Sequence, residues 1–137
     1  MTDDIRPTTR WRAARRKEAE EIAAGRKARE QCYLDQLYPD AFLDPTEAVL
    51  DGYAAAIAGL PATPEAYPAI MDQIGAATIA LNEINERGDE SWIETGEREA
   101  LCAYIEEVVV RRGVDIDALA RTHGLGRHEL TDTWRDW

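Results

Sequence analysis

The stretch Tyr67-Pro68-Ala69-Ile70-Met71-Asp72-Gln73-Ile74-Gly75-Ala76-Ala77-Thr78-Ile79-Ala80-Leu81-Asn82-Glu83-Ile84-Asn85-Glu86 decides the fold. With residues set about 100° apart, Ile70, Met71, Ile74, Ala77, Leu81 and Ile84 gather on one side, while Asp72, Glu83, Glu86 and Arg87 fall opposite. The spacing predicts a central core helix ended by Gly88, whose apolar face must be covered by other helices. Downstream, a polar stretch containing Trp92 leads to Thr95, which can cap a helix with Glu97 in its first turn. Leu101, Cys102, Ile105, Val108 and Val109 then form a buried stripe up to Gly113, and this periodicity outweighs the strand preference of three consecutive valines. Asp115 can cap a short helix through His123, and Gly126 precedes a last helical stretch ending at Trp137. Upstream, Asp44-Pro45-Thr46-Glu47 reads as a helix start, followed by Val49, Leu50, Tyr53, Ile57 and Leu60 until Pro61. Thr63-Pro64-Glu65 repeats the start signal.

Residues 8–38 contain no proline and a single glycine, Gly25, so they predict one long basic helix that projects at its beginning and docks at its end. With no segment of period-two alternation, the expected architecture is an all-α, single-domain bundle of about five to six helices. The C-terminal tryptophans fold back over its core.

Charge divides the chain in two. Through Gln31, nine Lys and Arg face six Asp and Glu; beyond it, seven face twenty-one, within a total of −11. Residues 1–31 therefore read as a basic helical arm and 32–137 as an acidic bundle. An acidic surface repels polyphosphates and attracts cationic partners. At 137 residues and 45% apolar the composition is ordinary for one globular core. The opening residues lack the apolar run of a signal peptide and no segment reaches the about 20 apolar residues of a membrane span, so a cytoplasmic protein is expected. Cys32 and Cys102 stand singly and read as reduced, packed thiols.

Polar residues on apolar faces form the first candidate site. Asn85 lies about 20° from Ile74 on the core stripe, and Arg98 about the same from Ile105 on the next one. If these helices are antiparallel neighbours, Asn82, Asn85, Trp92, Glu94, Arg98 and, from the tail, Trp134 share one neighbourhood. Such a cluster either pins the hairpin through a carboxylate on Arg98 or forms a small anion-binding pocket. The second candidate is an interaction arm of Arg10, Trp11, Arg12, Arg15, Arg16 and Lys17. Residues 116–135 have helix-turn-helix spacing, with Ala120, Gly124 and Leu130 in place. The would-be recognition helix nevertheless mixes Arg127, His128 and Arg135 with Glu129, Asp132 and Asp136, leaving phosphate no net attraction. The sequence holds no HExxH, no Cys/His cluster, no GxSxG and no glycine-rich phosphate loop, while Glu106-Glu107 and Asp89-Glu90 read as solvated faces. No catalytic, cofactor or metal residue is expected.

The runs Leu81-Asn82-Glu83-Ile84-Asn85, Ile93-Glu94-Thr95-Gly96-Glu97-Arg98-Glu99 and Trp134-Arg135-Asp136-Trp137 resemble a pattern of small uncharacterised bacterial helical proteins, over about residue 70 onward. The resemblance implies one structural unit and carries no activity. The leading expectation is a non-enzymatic, acidic, protein-binding module of immunity or inhibitor type whose partner has a basic surface. The alternatives are a DNA-binding protein using residues 116–135 with the arm, and a small-molecule binder or enzyme centred on Arg98. An arm exposing Trp11 and Ile22 would also allow a homodimer.

Overall fold

A computed structural model describes residues 4–88 and 91–137, so the acidic pair Asp89-Glu90 lies outside the described residues. The chain is an all-α bundle: α1 Pro7–Ala23, α2 Leu34–Leu37, α3 Asp40–Ala58, α4 Tyr67–Glu86, α5 Thr95–Arg111 and α6 Ile116–Thr122, with no strand among the described residues. No described helix is long and apolar enough to cross a membrane.

The deciding stretch is α4. Ile70, Met71, Ile74, Ala77, Leu81 and Ile84 are all buried, and they meet Leu43, Leu50 and Ile57 of α3 and Leu101, Ile105 and Val109 of α5 in one core. Two tyrosines cross-link α3 to α5. The Tyr53 hydroxyl donates to the Ile105 carbonyl at 2.7 Å, and the Tyr104 hydroxyl donates to that of Leu50 at 3.1 Å. Each bond satisfies a phenol that would otherwise be buried without a partner, which costs more than the bond itself gains. Burial drives the Tyr53 hydroxyl well above its ordinary pKa and the Tyr104 hydroxyl to about 12.

Several boundaries differ from expectation, each for an identifiable reason. The long basic helix stops at Ala23, because Gly25 takes a left-handed φ of 75°. Its N–H bonds the Ile22 carbonyl and that of Arg26 reaches Glu21, the reciprocal pair of a glycine-terminated helix end. Helix α3 begins at Asp40 rather than Asp44 and carries Pro45 inside it. Phe42 and Leu43, both fully buried, supply the gain that draws the helix back across the proline. The cap of α5 is Glu94 rather than Thr95, with the Glu94 N–H donating to Glu97 Oε1 at 3.3 Å. After α6 the second helix of the expected helix-turn-helix does not form: residues 127–129 make a single 3₁₀ turn and Arg135–Trp137 have no regular structure. Glu106, expected on a solvated face, lies 3.5 Å from Arg127 Nε and 2.9 Å from His128 Nδ1.

The largest correction concerns α1, which does not project. Trp11 is 8% exposed and stacks on Tyr38 at 5.3 Å and on Phe42 at 5.7 Å between ring centroids. Phe42 in turn meets Trp92 at 5.5 Å, so one aromatic column links α1, the residue after α2, α3 and the loop before α5. Arg6 pairs with Asp51, Arg12 with Asp44 and Arg15 with Asp40, at 2.7 to 3.1 Å. Partner numbers fall as α1 numbers rise, which makes α1 and α3 antiparallel. Exposed pairs of this kind contribute about 0–1 kcal/mol each, so the aromatic burial holds α1 down and the ion pairs set its register.

Candidate functional site

The six residues of the expected polar cluster do not form one network. Asn82, on the buried face of α4, donates through Nδ2 to the Trp134 carbonyl at 2.6 Å and accepts the Asp136 N–H at 3.0 Å. It fastens the irregular C-terminal tail. Trp134 lies over Gly75, where a Cβ would stand 2.8 to 3.1 Å from the indole ring. One turn further along α4, Asn85 accepts the Ile93 N–H at 2.9 Å and donates to Ser91 Oγ at 3.0 Å, fixing the approach to α5. Trp92 ends the aromatic column, and Glu94 is the cap of α5.

Arg98 is half-buried, and among the described residues no carboxylate lies within ion-pairing distance of its guanidinium. Asn85 makes its side-chain bonds to Ser91 and Ile93, not to Arg98. The carboxylate expected to pin the hairpin through Arg98 is therefore not found among the described residues. A depression of about 590 Å³ does open beside the α5 N-terminus, lined by Gln36, Leu37, Ser91, Trp92 and residues 94–97. Arg98 is not part of its lining, so the candidate pocket is walled by carboxylates and apolar surface instead of a cation.

The expected interaction arm also divides. Trp11, Arg12 and Arg15 face α2 and α3, whereas Arg10, Arg16 and Lys17 are exposed and form no ion pair among the described residues.

Sequence reasoning missed Glu18. This carboxylate continues the inward stripe of Trp11 and Arg15 and is 3% exposed. It accepts from Lys27 Nζ at 2.6 Å, from Cys32 Sγ at 3.0 Å and from the Tyr33 and Leu34 N–H groups at 3.1 Å. Four donors from the returning segment converge on one side chain. The bonds to Lys27 and Cys32 hold the carboxyl at about 2, below its ordinary 4.5, while the same bond pushes the Cys32 thiol up. A thiol held in its protonated form is a poor nucleophile, so Cys32 reads as structural. Because the unfolded carboxyl keeps its ordinary value, the stabilisation is present above about pH 4.5 and is lost as pH falls toward about 2. Glu18→Gln should therefore flatten the fall of unfolding free energy between those pH values relative to wild type. Urea titrations at several acid pH values check this, and parallel curves would mean that Glu18 does not carry the acid response.

Among the described residues no group of three or more His, Cys, Asp or Glu side chains gathers as a metal ion's ligands would. A second groove, of about 540 Å³, lies between α3 and α5. No protein-family model, curated protein or solved structure matches this chain.

Proposed function

We propose that the protein is a non-enzymatic, acidic helical module of immunity or inhibitor type that engages the cationic face of a protein partner. The observation that supports this reading is where the charges are compensated. Arg6, Arg12 and Arg15 turn onto carboxylates of α2 and α3, which leaves the other side of the bundle without their compensation. Asp72, Glu83, Glu86, Glu94 and Glu99 are exposed and form no ion pair among the described residues. Apolar surface lies beside this charge. Leu37 is 47% exposed and shares the depression at the α5 N-terminus with Trp92 and Glu94. An apolar patch rimmed by uncompensated acid suits a partner presenting Arg or Lys around an apolar contact.

The tagged full chain is used to capture its partner from native lysate, and association kinetics are then measured at rising salt for wild type and the Glu94→Lys/Glu99→Lys variant. The association rate should fall about tenfold with the charge reversal, and the salt dependence should weaken with it. An association rate indifferent to both would overturn the reading. Affinity for duplex DNA at low salt that collapses as salt rises would move the assignment to the exposed Arg10, Arg16 and Lys17 of α1.

A further inference from the structure

We propose that the groove between α3 and α5 binds a small anionic amphiphile, meaning a single negative headgroup on an alkyl or aryl tail. This goes beyond the protein-binding reading and rests on different residues. The groove exists because α3 turns small side chains, Ala54 and Ala58, toward α5, where larger ones would have closed the space. Ile57, 1% exposed, lies at its floor, and the Tyr104 ring forms a wall while its hydroxyl is held by the Leu50 carbonyl. Val108 and Ile5 complete an apolar lining. A space of about 540 Å³ falls in the range of small-ligand sites, and Tyr104 to Arg112 spans about 12 Å of helix. That length suits a medium-chain tail.

The charge of the groove specifies the headgroup. Three arginines and one aspartate line it, and the three differ in how far carboxylates compensate them. Arg6 is already engaged by Asp4 and Asp51, so the end near Tyr104 is neutralised. At the opposite end Arg112 donates through Nε to the Leu60 carbonyl at 2.8 Å, which fixes its position, and its remaining guanidinium nitrogens meet no carboxylate among the described residues. Arg111 stands beside it, held through Nε by Glu107 at 3.1 Å. An anion placed at this end meets the Arg112 guanidinium, uncompensated by any carboxylate among the described residues, with the Glu107-paired Arg111 beside it, while its tail lies along Val108, Ala58 and Ala54 toward Tyr104. The contact of Arg112 with Leu60 and the packing of Ile5 and Arg6 bound the groove at its two ends, which favours a small molecule over a continuous peptide. A second copy of this chain, carrying −11, meets repulsion over most of its surface.

The test titrates the full chain with decanoate below its aggregation threshold, following amide shifts by NMR and heat by calorimetry. Saturable, one-to-one binding should appear, with the largest shifts at Ala54, Ala58 and Val108. Arg111→Gln/Arg112→Gln should weaken it about tenfold, as should replacing decanoate by decanol. Ala54→Leu/Ala58→Leu fills the groove with good helix formers and should abolish binding while the fold persists, so loss of folding in the arginine variant does not leave the question open. Absence of a saturable response, decanol binding as tightly as decanoate, or binding that survives the filled groove overturns the proposal. Decanoate and decyl phosphate supply the ligand in free form and phosphatidylglycerol vesicles supply it at a lipid surface. Binding confined to the vesicles also overturns the site as a receptor for a free amphiphile. None of these outcomes depends on capture of a protein partner.

Discussion

Trp11→Ala should destabilise the protein by about 3–5 kcal/mol, the range for deleting a buried aromatic side chain. Its indole is 8% exposed and stacks on Tyr38, at an interplanar angle of 10°, and on Phe42. Truncation therefore removes both the burial and two aromatic contacts worth about 0.5–1.5 kcal/mol each beyond their area. The neighbouring Arg12 gives the internal comparison. It makes ion pairs to Asp44 at 2.7 Å and Glu47 at 3.5 Å, with its side chain 30% exposed, so Arg12→Ala should cost only about 0–1 kcal/mol. Urea unfolding of the two variants separates packing from charge as the force that holds α1. Were α1 a solvated projection, both substitutions would fall within about 0.5 kcal/mol of wild type. A Trp11→Ala variant of near wild-type stability would contradict the docked helix.

The docked helix also marks where the sequence was legible and where it was not. The periodicity of α4 was readable because six apolar positions on one face leave a helix little choice, and the stripe of α5 followed the same logic. Helix α1 carries too little apolar surface for that reading, with Trp11 its one large buried apolar side chain. The signal lay in charge spacing instead. Asp40, Asp44, Glu47 and Asp51 repeat at helical intervals on α3 and match Arg15, Arg12 and Arg6 in reverse order. A split between a basic and an acidic segment is thus as much a pattern for intramolecular docking as for an arm seeking a partner.

The inward direction of Asn85 was likewise legible from its angle on α4, but the partners of Asn85 and of its neighbour Asn82 were not. A side-chain amide facing a core accepts any local backbone that needs pairing. Here irregular segments, the tail and the loop before α5, had unpaired N–H and C=O groups to offer, and Arg98 did not. Glu18 escaped notice because its four donors come from a segment read as continuous helix, in which Lys27, Cys32, Tyr33 and Leu34 could not have turned back toward it. The single glycine at position 25 redirected that segment.

Gly75→Leu is expected to cost about 3 kcal/mol or more, the upper end of overpacking effects, because the side chain has nowhere to go. A Cβ at this position would already lie 2.8 Å from Trp134 Cε2 and 2.9 Å from Cζ2, closer than packed carbons tolerate. The indole cannot simply swing away, since its own backbone carbonyl is held by Asn82 Nδ2 at 2.6 Å and the neighbouring Asp136 N–H by Asn82 Oδ1 at 3.0 Å. Leu130, Thr131 and Trp137 on either side are buried as well, so relief of the clash means releasing the tail from α4. Removing the ring changes the sign of the effect. In a Trp134→Ala background the space vacated by the indole receives the leucine, and replacing a helix-interior glycine then gains about 1 kcal/mol of helix propensity. Gly75→Leu/Trp134→Ala should therefore be more stable than Trp134→Ala alone by about 1 kcal/mol, whereas Gly75→Leu in the wild-type background costs about 3 kcal/mol, a coupling between contacting residues that a double-mutant cycle measures. Strictly additive losses would mean that the tail does not lie on α4 at Gly75, and the role assigned to Asn82 would fall with it.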